Sequence, residues 1–273
     1  MKRVLLAASV ALPIRAAADP LQLRADALAS TAAPAGLVTL EAHAAESPGL
    51  SAEAVVWSGS AGDQGHTDVL VMAVRLHSAD GLAGLRLGRF VETLGALRPI
   101  QIDGAAGRAR LPLGVDVEAY AGVPVPSGLT ASRAWDWAAG GRIARRIGDG
   151  GSIGLAYAEQ RSDGQLASEE LGIDAGAALG AHDDVGARLA YDLANPGLAE
   201  VGVSASHRAK RWRTSVYVEQ RAAAHLLPAT SLFSVLGDVP AMRAGAVTTW
   251  RAAPRLDVIA DVGAERVDRD VAP

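Results

Sequence analysis

The chain alternates apolar and polar positions with a period of two over most of its length. In Val115–Gly122, Val115, Val117, Ala119 and Ala121 fall on one side, and Asp116, Glu118 and Tyr120 on the other. Such alternation is the mark of a β-strand whose two faces meet different surroundings. It recurs where Leu171, Ile173, Ala175, Ala177 and Leu179 oppose Gly172, Asp174, Gly176 and Gly180. Val185, Ala187, Leu189 and Tyr191 likewise oppose Gly186, Arg188, Ala190 and Asp192, and Leu256, Val258, Ala260 and Val262 oppose Asp257, Asp261 and Glu265. The pattern predicts about fifteen strands. They fall near 20–31, 36–45, 50–59, 68–78, 82–92, 98–110, 115–124, 132–147, 152–161, 169–180, 185–193, 199–208, 212–222, 243–251 and 255–266.

The connections alternate too. Compact turns are expected at Glu46–Gly49, Ala79–Gly81, Leu111–Gly114, Gly148–Gly151, Ala181–Asp184, Ala209–Arg211 and Ala252–Pro254. The other links are mostly longer, such as Ser60–Thr67, Ser162–Ala167 and Ala223–Met242. Strands of about ten residues, tilted, are long enough to cross a bilayer, and short turns at one rim with long loops at the other are the habit of outer-membrane barrels. The fold class expected is therefore all-β: an antiparallel up-and-down transmembrane β-barrel with the apolar face toward lipid and the polar face lining a wet lumen. About fifteen strands is an odd number, whereas bacterial single-chain barrels have an even one. The expectation is a barrel of 16 or more strands when complete, lacking closing strands at its C-terminus, or else a strand uncounted near the weakly patterned start.

Composition narrows the class. Hydrophobic residues make up 49% of the 273, an excess carried by Ala, Val and Leu, and thirty glycines suit a fold rich in turns and small inward residues. No later apolar run is long enough for a transmembrane helix, so insertion must use strands. A net charge of −4 and scattered arginines speak against nucleic acid as a partner. The absence of cysteine excludes disulfides, thiolate zinc sites and cysteine nucleophiles. Lys2-Arg3, the apolar stretch Val4–Ile14 and Ala16-Ala-Ala18 have the order of a Sec-type signal peptide. This divides the chain into a signal at 1–18, cleaved near Ala18, and a barrel domain at 19–273.

Charged strand residues are the candidate functional groups. Arg86, Asp103, Arg108, Asp116, Glu118, Asp174, Arg188, Asp192, Asp257 and Asp261 all lie on predicted strands. An arginine on a lipid face near the midplane costs roughly 2–4 kcal/mol, so these residues are expected to line the lumen, as selectivity charges or structural ion pairs. Arg86 and Asp103, on neighbouring strands, are expected to pair across the wall. The apolar Leu226–Asp238 stretch within the long link is expected either to fold into the barrel and narrow it or to pack as a short helix at the rim. The six histidines show no metal-ligand spacing. Gly148–Gly154 lacks the lysine of a phosphate-binding loop, and Gly202-Val-Ser-Ala-Ser206 lacks the last glycine of a nucleophile elbow. No catalytic residue, metal site or cofactor is expected.

Leu87-Gly-Arg89, Ile102-Asp-Gly104, the strand carrying Arg108 and Arg110, and Asp116-Val-Glu-Ala-Tyr-Ala-Gly122 together resemble the central hairpins of Gram-negative porin-like barrels. The nearest group is the alginate-export-type proteins and their uncharacterised relatives. The likeness covers roughly residues 84–122. It implies an outer-membrane location, contact with outer-membrane lipid, and passive diffusion or export of small hydrophilic solutes, with a homotrimer as an assembly to test. Trp57, Trp135, Trp137, Trp212, Tyr217 and Trp250 are the candidates for aromatic girdles. Readings from other classes are an outer-membrane hydrolase of lipase or deacylase type, a structural barrel plugged by its own side chains, and a soluble periplasmic β-protein.

Overall fold

The computed structural model describes residues 6–10, 22–30, 35–47, 49–61, 64–125, 136–222, 240–253 and 256–267. They form one antiparallel sheet of sixteen strands, each paired with its neighbours in chain order. The strands are β1 (Leu6–Val10), β2 (Gln22–Ser30), β3 (Ala35–Ser47), β4 (Leu50–Ala61), β5 (Gln64–His77), β6 (Ala83–Glu92), β7 (Ile100–Leu111) and β8 (Val115–Pro124). The second half comprises β9 (Trp137–Ile147), β10 (Gly151–Ser162), β11 (Gln165–Leu179), β12 (Asp183–Asp192), β13 (Gly197–Arg208), β14 (Trp212–Ala222), β15 (Pro240–Ala253) and β16 (Leu256–Val267). All the strands expected from periodicity are present. The additional one, β1, lies in the apolar N-terminal stretch and pairs with β2 from Leu6↔Ala29 to Val10↔Ala25.

The expected compact turns fall between β3 and β4, β5 and β6, β7 and β8, and so on to β15 and β16. At the β5–β6 turn, the Ser78 hydroxyl and then the Leu82 amide donate to Asp80 and hold its carboxyl below the usual aspartate value. On the opposite rim two links are shorter than expected. β10 ends at Ser162 and β11 begins at Gln165, so the link is the pair Asp163–Gly164, at φ +54° and +74°. Positive φ at both central residues suits the tight hairpin whose twist matches its strands. The link between β4 and β5 is only two residues, 62 and 63. The polar residues at both places extend the strands instead of forming loops.

The ladder registers fix which side chains share a face. Ile102, Tyr120, Ala138 and Ala156 point to the concave side and are buried there with Phe90. Their alternates point outward and stay exposed although apolar: Ile143 61%, Leu155 54%, Ile173 44% and Val203 57%. On β11 the outward row Leu171, Ile173, Ala175, Ala177 and Leu179 is unbroken by charge. Its nine residues at ~3.3 Å rise, tilted near 45°, make a band about 20 Å tall, close to the apolar belt of transmembrane barrels.

Polar and aromatic groups bound this band. On the loop side, Trp137 lies outward beside Arg161, whose guanidinium is 6.0 Å from the ring centroid, and the Tyr157 hydroxyl donates to Glu169 at 2.8 Å. On the turn side, the outward Trp212 and Trp250 are ladder partners and stack with centroids 5.4 Å apart and planes at 15°. Of the other girdle candidates, Trp135 lies outside the described residues. Tyr217 departs from expectation: its register with Ser204 and Gly245 turns it inward. Tyr157 and Tyr191 hold outward loop-side positions instead.

The facing assignment predicts unequal tolerance of charge. Ile173→Arg, mid-band and outward, is expected to lower the stability of the bilayer-inserted barrel by roughly 2–4 kcal/mol. Ser204→Arg, on the lumen face of β13, is expected to cost well under half of that. Urea titration of the protein folded into vesicles reads both, and equal losses would overturn the assignment.

Candidate functional site

A lumen is defined by what folds into it. The link Thr93–Pro99 between β6 and β7 turns inward and leaves Leu94, Ala96 and Leu97 buried. Leu94 and Leu97 join Phe90, Ile102, Tyr120, Ala138 and Ala156 in one apolar cluster on the concave face. Small residues on the far wall let the loop approach. A Cβ at Gly172 of β11 would lie 2.7 Å from Leu97 Cδ2 and 3.4 Å from Ala96 Cβ. At the tip, Gly95 adopts φ +56°, which favours glycine, and an added Cβ there would strike Asp174 and come within 2.8 Å of Arg142 Nε. Arg98 completes the anchorage, with Nε 2.6 Å from Oε1 of the buried Glu170, a charge contact out of line for a hydrogen bond. The loop thus starts at β6 and ends against β11, crossing the interior. The segment 223–242, expected as a possible narrowing loop, lies largely outside the described residues.

Around this loop the concave face carries fixed ion pairs. Arg142 donates to Asp174 at 2.6 and 2.9 Å and to Glu118 at 3.3 Å. Asp116 accepts from Arg110 and Arg146. Glu53 binds both Arg75 and Arg86, with Arg86 also 3.9 Å from Glu92. Arg188 and Arg221 each bridge Glu200 and Glu219, closing a ring of four charges with contacts of 2.5–3.3 Å. The carboxylates lie against the wall and the guanidiniums reach toward water. Side-chain exposure is 13% and 11% for Glu200 and Glu219 against 44% and 45% for Arg188 and Arg221.

Two cavities flank the loop. The larger, of about 560 Å³, opens between Gly95 and the β11–β15 wall and is lined by Asp174, Arg188, Ser204, Tyr217, Arg221 and Arg243 among others. Arg243 lies 5.5 Å from the Tyr217 ring centroid. The smaller, about 210 Å³, is bordered by Arg75, Arg86, Arg108, Glu92 and Glu118. Among the described residues, Arg108 and Arg243 make no salt bridge, so each cavity holds one guanidinium without a carboxylate partner.

Of the residues singled out from sequence, Arg86, Arg108, Asp116, Glu118, Asp174 and Arg188 stand on the concave face. Asp192 shares that face, but is buried and accepts from the Ala194 and Asn195 amides, so it holds the β12–β13 turn. Asp257 pairs loosely with Arg251 at 3.5 Å, and Asp261, opposite Val247, is exposed on β16. Asp103 does not line the lumen. It is the register partner of Arg89 and binds it outward through two 2.7 Å bonds, close to the loop-side boundary. The expected Arg86–Asp103 pair therefore does not form, because Arg86 lies opposite Ala106 and faces inward to Glu53. Sequence reading missed Arg142, Glu170, Glu200, Glu219, Arg221, Arg243 and the inward loop. The one available signal was Leu94 and Leu97 within a link otherwise too short to need apolar anchors.

Solved structures share this architecture. The chain superposes on an anion-selective porin from Comamonas acidovorans with TM-score 0.53 and 13% identity, covering 88% of this chain and 81% of that one. Pseudomonas putida OprB, in its low-pH structure, gives TM-score 0.58 and 11% identity over 89% and 82% of the two chains. Salmonella typhi OmpF, in a complex with daunomycin, gives 0.55 and 12% over 90% of each. No family model matches the sequence, and no curated protein matches it. At these identities the likeness is one of fold, an antiparallel up-and-down β-barrel.

The inward loop can be tested directly because the chain has no cysteine. With Ala96 Cβ 3.4 Å from a Cβ built at Gly172, the double variant Ala96→Cys/Gly172→Cys sits near disulfide geometry. It is expected to cross-link under mild oxidation, seen as a two-proton mass loss. Free thiols in a folded barrel would show that the loop is not seated on β11.

Proposed function

We propose that the protein is an outer-membrane channel through which small hydrophilic solutes, anions foremost, diffuse passively. The observation that carries this reading is the layered charge of the concave face. Solute in the larger cavity meets the guanidiniums of Arg188, Arg221 and Arg243 beside the carboxylates of Asp174 and Glu219, and the glutamates are the less exposed partners, Glu200 and Glu219 at 13% and 11% against 44% and 45% for Arg188 and Arg221. Fixed charges at a constriction discriminate by sign and leave the solute free to move on. The loop is fastened to the β6–β11 side, so the route runs along the β12–β15 side through the larger cavity. No paired nucleophile and base lines that cavity: Ser204 is present without a histidine among its lining residues. The likeness of residues 84–122 to alginate-export-type barrels gains a physical sense. Gly88, Gly104 and Gly122 are successive ladder neighbours, and Arg89 pairs with Asp103. That likeness supports an outer-membrane location.

The N-terminal stretch supports an export signal removed near Ala18, which would take β1 with it and leave β2 to be paired otherwise. The mass of the protein recovered from outer membranes is expected to correspond to a start near Asp19. Recovery with Met1 in place would overturn the signal.

In planar bilayers the protein is expected to conduct, and in a salt gradient its reversal potential is expected to favour the anion. Arg243→Glu replaces the surplus guanidinium of the larger cavity with a carboxylate and is expected to reduce or invert that preference at low salt, with little change at 1 M, where charge is screened within about 3 Å. A folded, heat-modifiable barrel that does not conduct would show the lumen to be plugged.

A further inference from the structure

The β13–β14 turn concentrates exposed positive charge. Arg208, Lys210, Arg211 and Arg213 fall within six residues, all exposed, and among the described residues none forms an ion pair. The nearby acids are engaged elsewhere: Asp183 with His207 at 2.7 Å, Asp184 with the Ser206 hydroxyl, and Asp257 with Arg251. Arg208 and Arg213 are also direct register partners. Like charges placed opposite each other across a ladder destabilise it unless a counter-anion is supplied.

The turn cannot relieve this repulsion by moving. Its backbone is held between the neighbouring turns, with the Arg208 amide donating to the His182 carbonyl and the Arg251 amide to the Arg211 carbonyl, both at 2.8 Å. Immediately outside it stands the stacked Trp212–Trp250 pair, 49% and 39% exposed, on the outward face at the turn-side end of the apolar band. Tryptophan prefers the level of lipid headgroups. Lys210 and Arg211 in the turn, neither in an ion pair among the described residues, stand next to this outward aromatic anchor and define what fits: an anionic group joined to acyl chains.

We propose that this turn binds the phosphate headgroup of an anionic phospholipid in the turn-side leaflet, with Lys210 and Arg211 contacting the phosphate and the Trp212–Trp250 stack bordering the chains. Arg208 and Arg213, at the lumen mouth, add to the local field. The inference rests on the reading of the chain as a transmembrane barrel, and the test separates the two.

The full-length protein, purified in a neutral detergent, would be offered phosphatidylglycerol, phosphatidylcholine or inorganic phosphate, and the retained lipid counted by native mass spectrometry. Preferential retention of phosphatidylglycerol, falling as salt rises, is expected. Lys210→Gln with Arg211→Gln is expected to weaken it on the order of thirtyfold at low salt, and Trp212→Leu to weaken retention while leaving the salt dependence. Equal retention of both lipids, or displacement of phosphatidylglycerol by inorganic phosphate at equal concentration, would overturn the proposal. Gel mobility with and without boiling is read on every sample. A heat-dependent shift with no lipid preference removes the headgroup site and leaves the barrel, whereas the absence of any shift removes the barrel.

Discussion

Every backbone amide and carbonyl of a strand that crosses lipid must find its partner on the next strand, because the hydrocarbon offers none. The ladder meets this demand between neighbouring strands from β1 to β16, and it explains why the chain folds as a meander of nearest neighbours. Once the backbone is satisfied laterally, the side chains are free to divide between two solvents. The period of two then does the sorting without further instruction. A one-residue slip would send Ile173 into the lumen and Asp174 into lipid, so register is specified by burial on both faces at once. The shifts at Ala45/Ser47, Gln160/Arg161, Ala190/Tyr191 and Arg251/Ala253 lie near strand ends, whereas the shift at Val55/Val56 falls in the middle of β4.

The inward loop follows from the same sorting. A wet lumen is a poor place for leucine, so Leu94 and Leu97 need an apolar patch on an otherwise polar face. Phe90, Ile102, Tyr120, Ala138 and Ala156 provide it, and Gly172 provides depth on the far side. This patch biases the interior. Apolar and small residues concentrate on β6–β11, the loop lies over them, and the open volume is displaced toward β12–β15. The position of the open volume is thus a packing consequence and not a separate design.

Much of this was legible in the residues, and the failures have identifiable causes. Alternation marked every strand but β1, whose run Leu6–Val10 has Ser9 as its one polar residue and no alternation to distinguish it from a signal sequence. Alternation also grouped Asp116, Glu118, Asp174 and Arg188 on the polar face, which is the concave one in the structure. It failed for Asp103 because parity had to be carried across the β6–β7 link, and a loop of seven residues hides the register between Arg89 and Asp103. The charge lining was only half visible, since Glu200 and Glu219 gain their meaning from Arg221 and Arg188 on neighbouring strands. A pairwise ladder shows such contacts; a single strand does not. The inward loop was hardest, because its two leucines look ordinary until the wall facing them is known.

The near-total choice of arginine over lysine also has a structural reason. Arg142 spans Glu118 on β8 and Asp174 on β11, and Arg188 and Arg221 each span two glutamates on different strands. A planar guanidinium with five donors can serve two carboxylates in directions set by its fork, whereas an ammonium is a single point of charge. Each such arginine ties strands together from within and holds its own charge at a fixed height in the lumen. The exception is instructive. Lys210 stands in a turn at the rim, exposed and in no ion pair among the described residues, where the flexible ammonium has no pair of carboxylates to bridge.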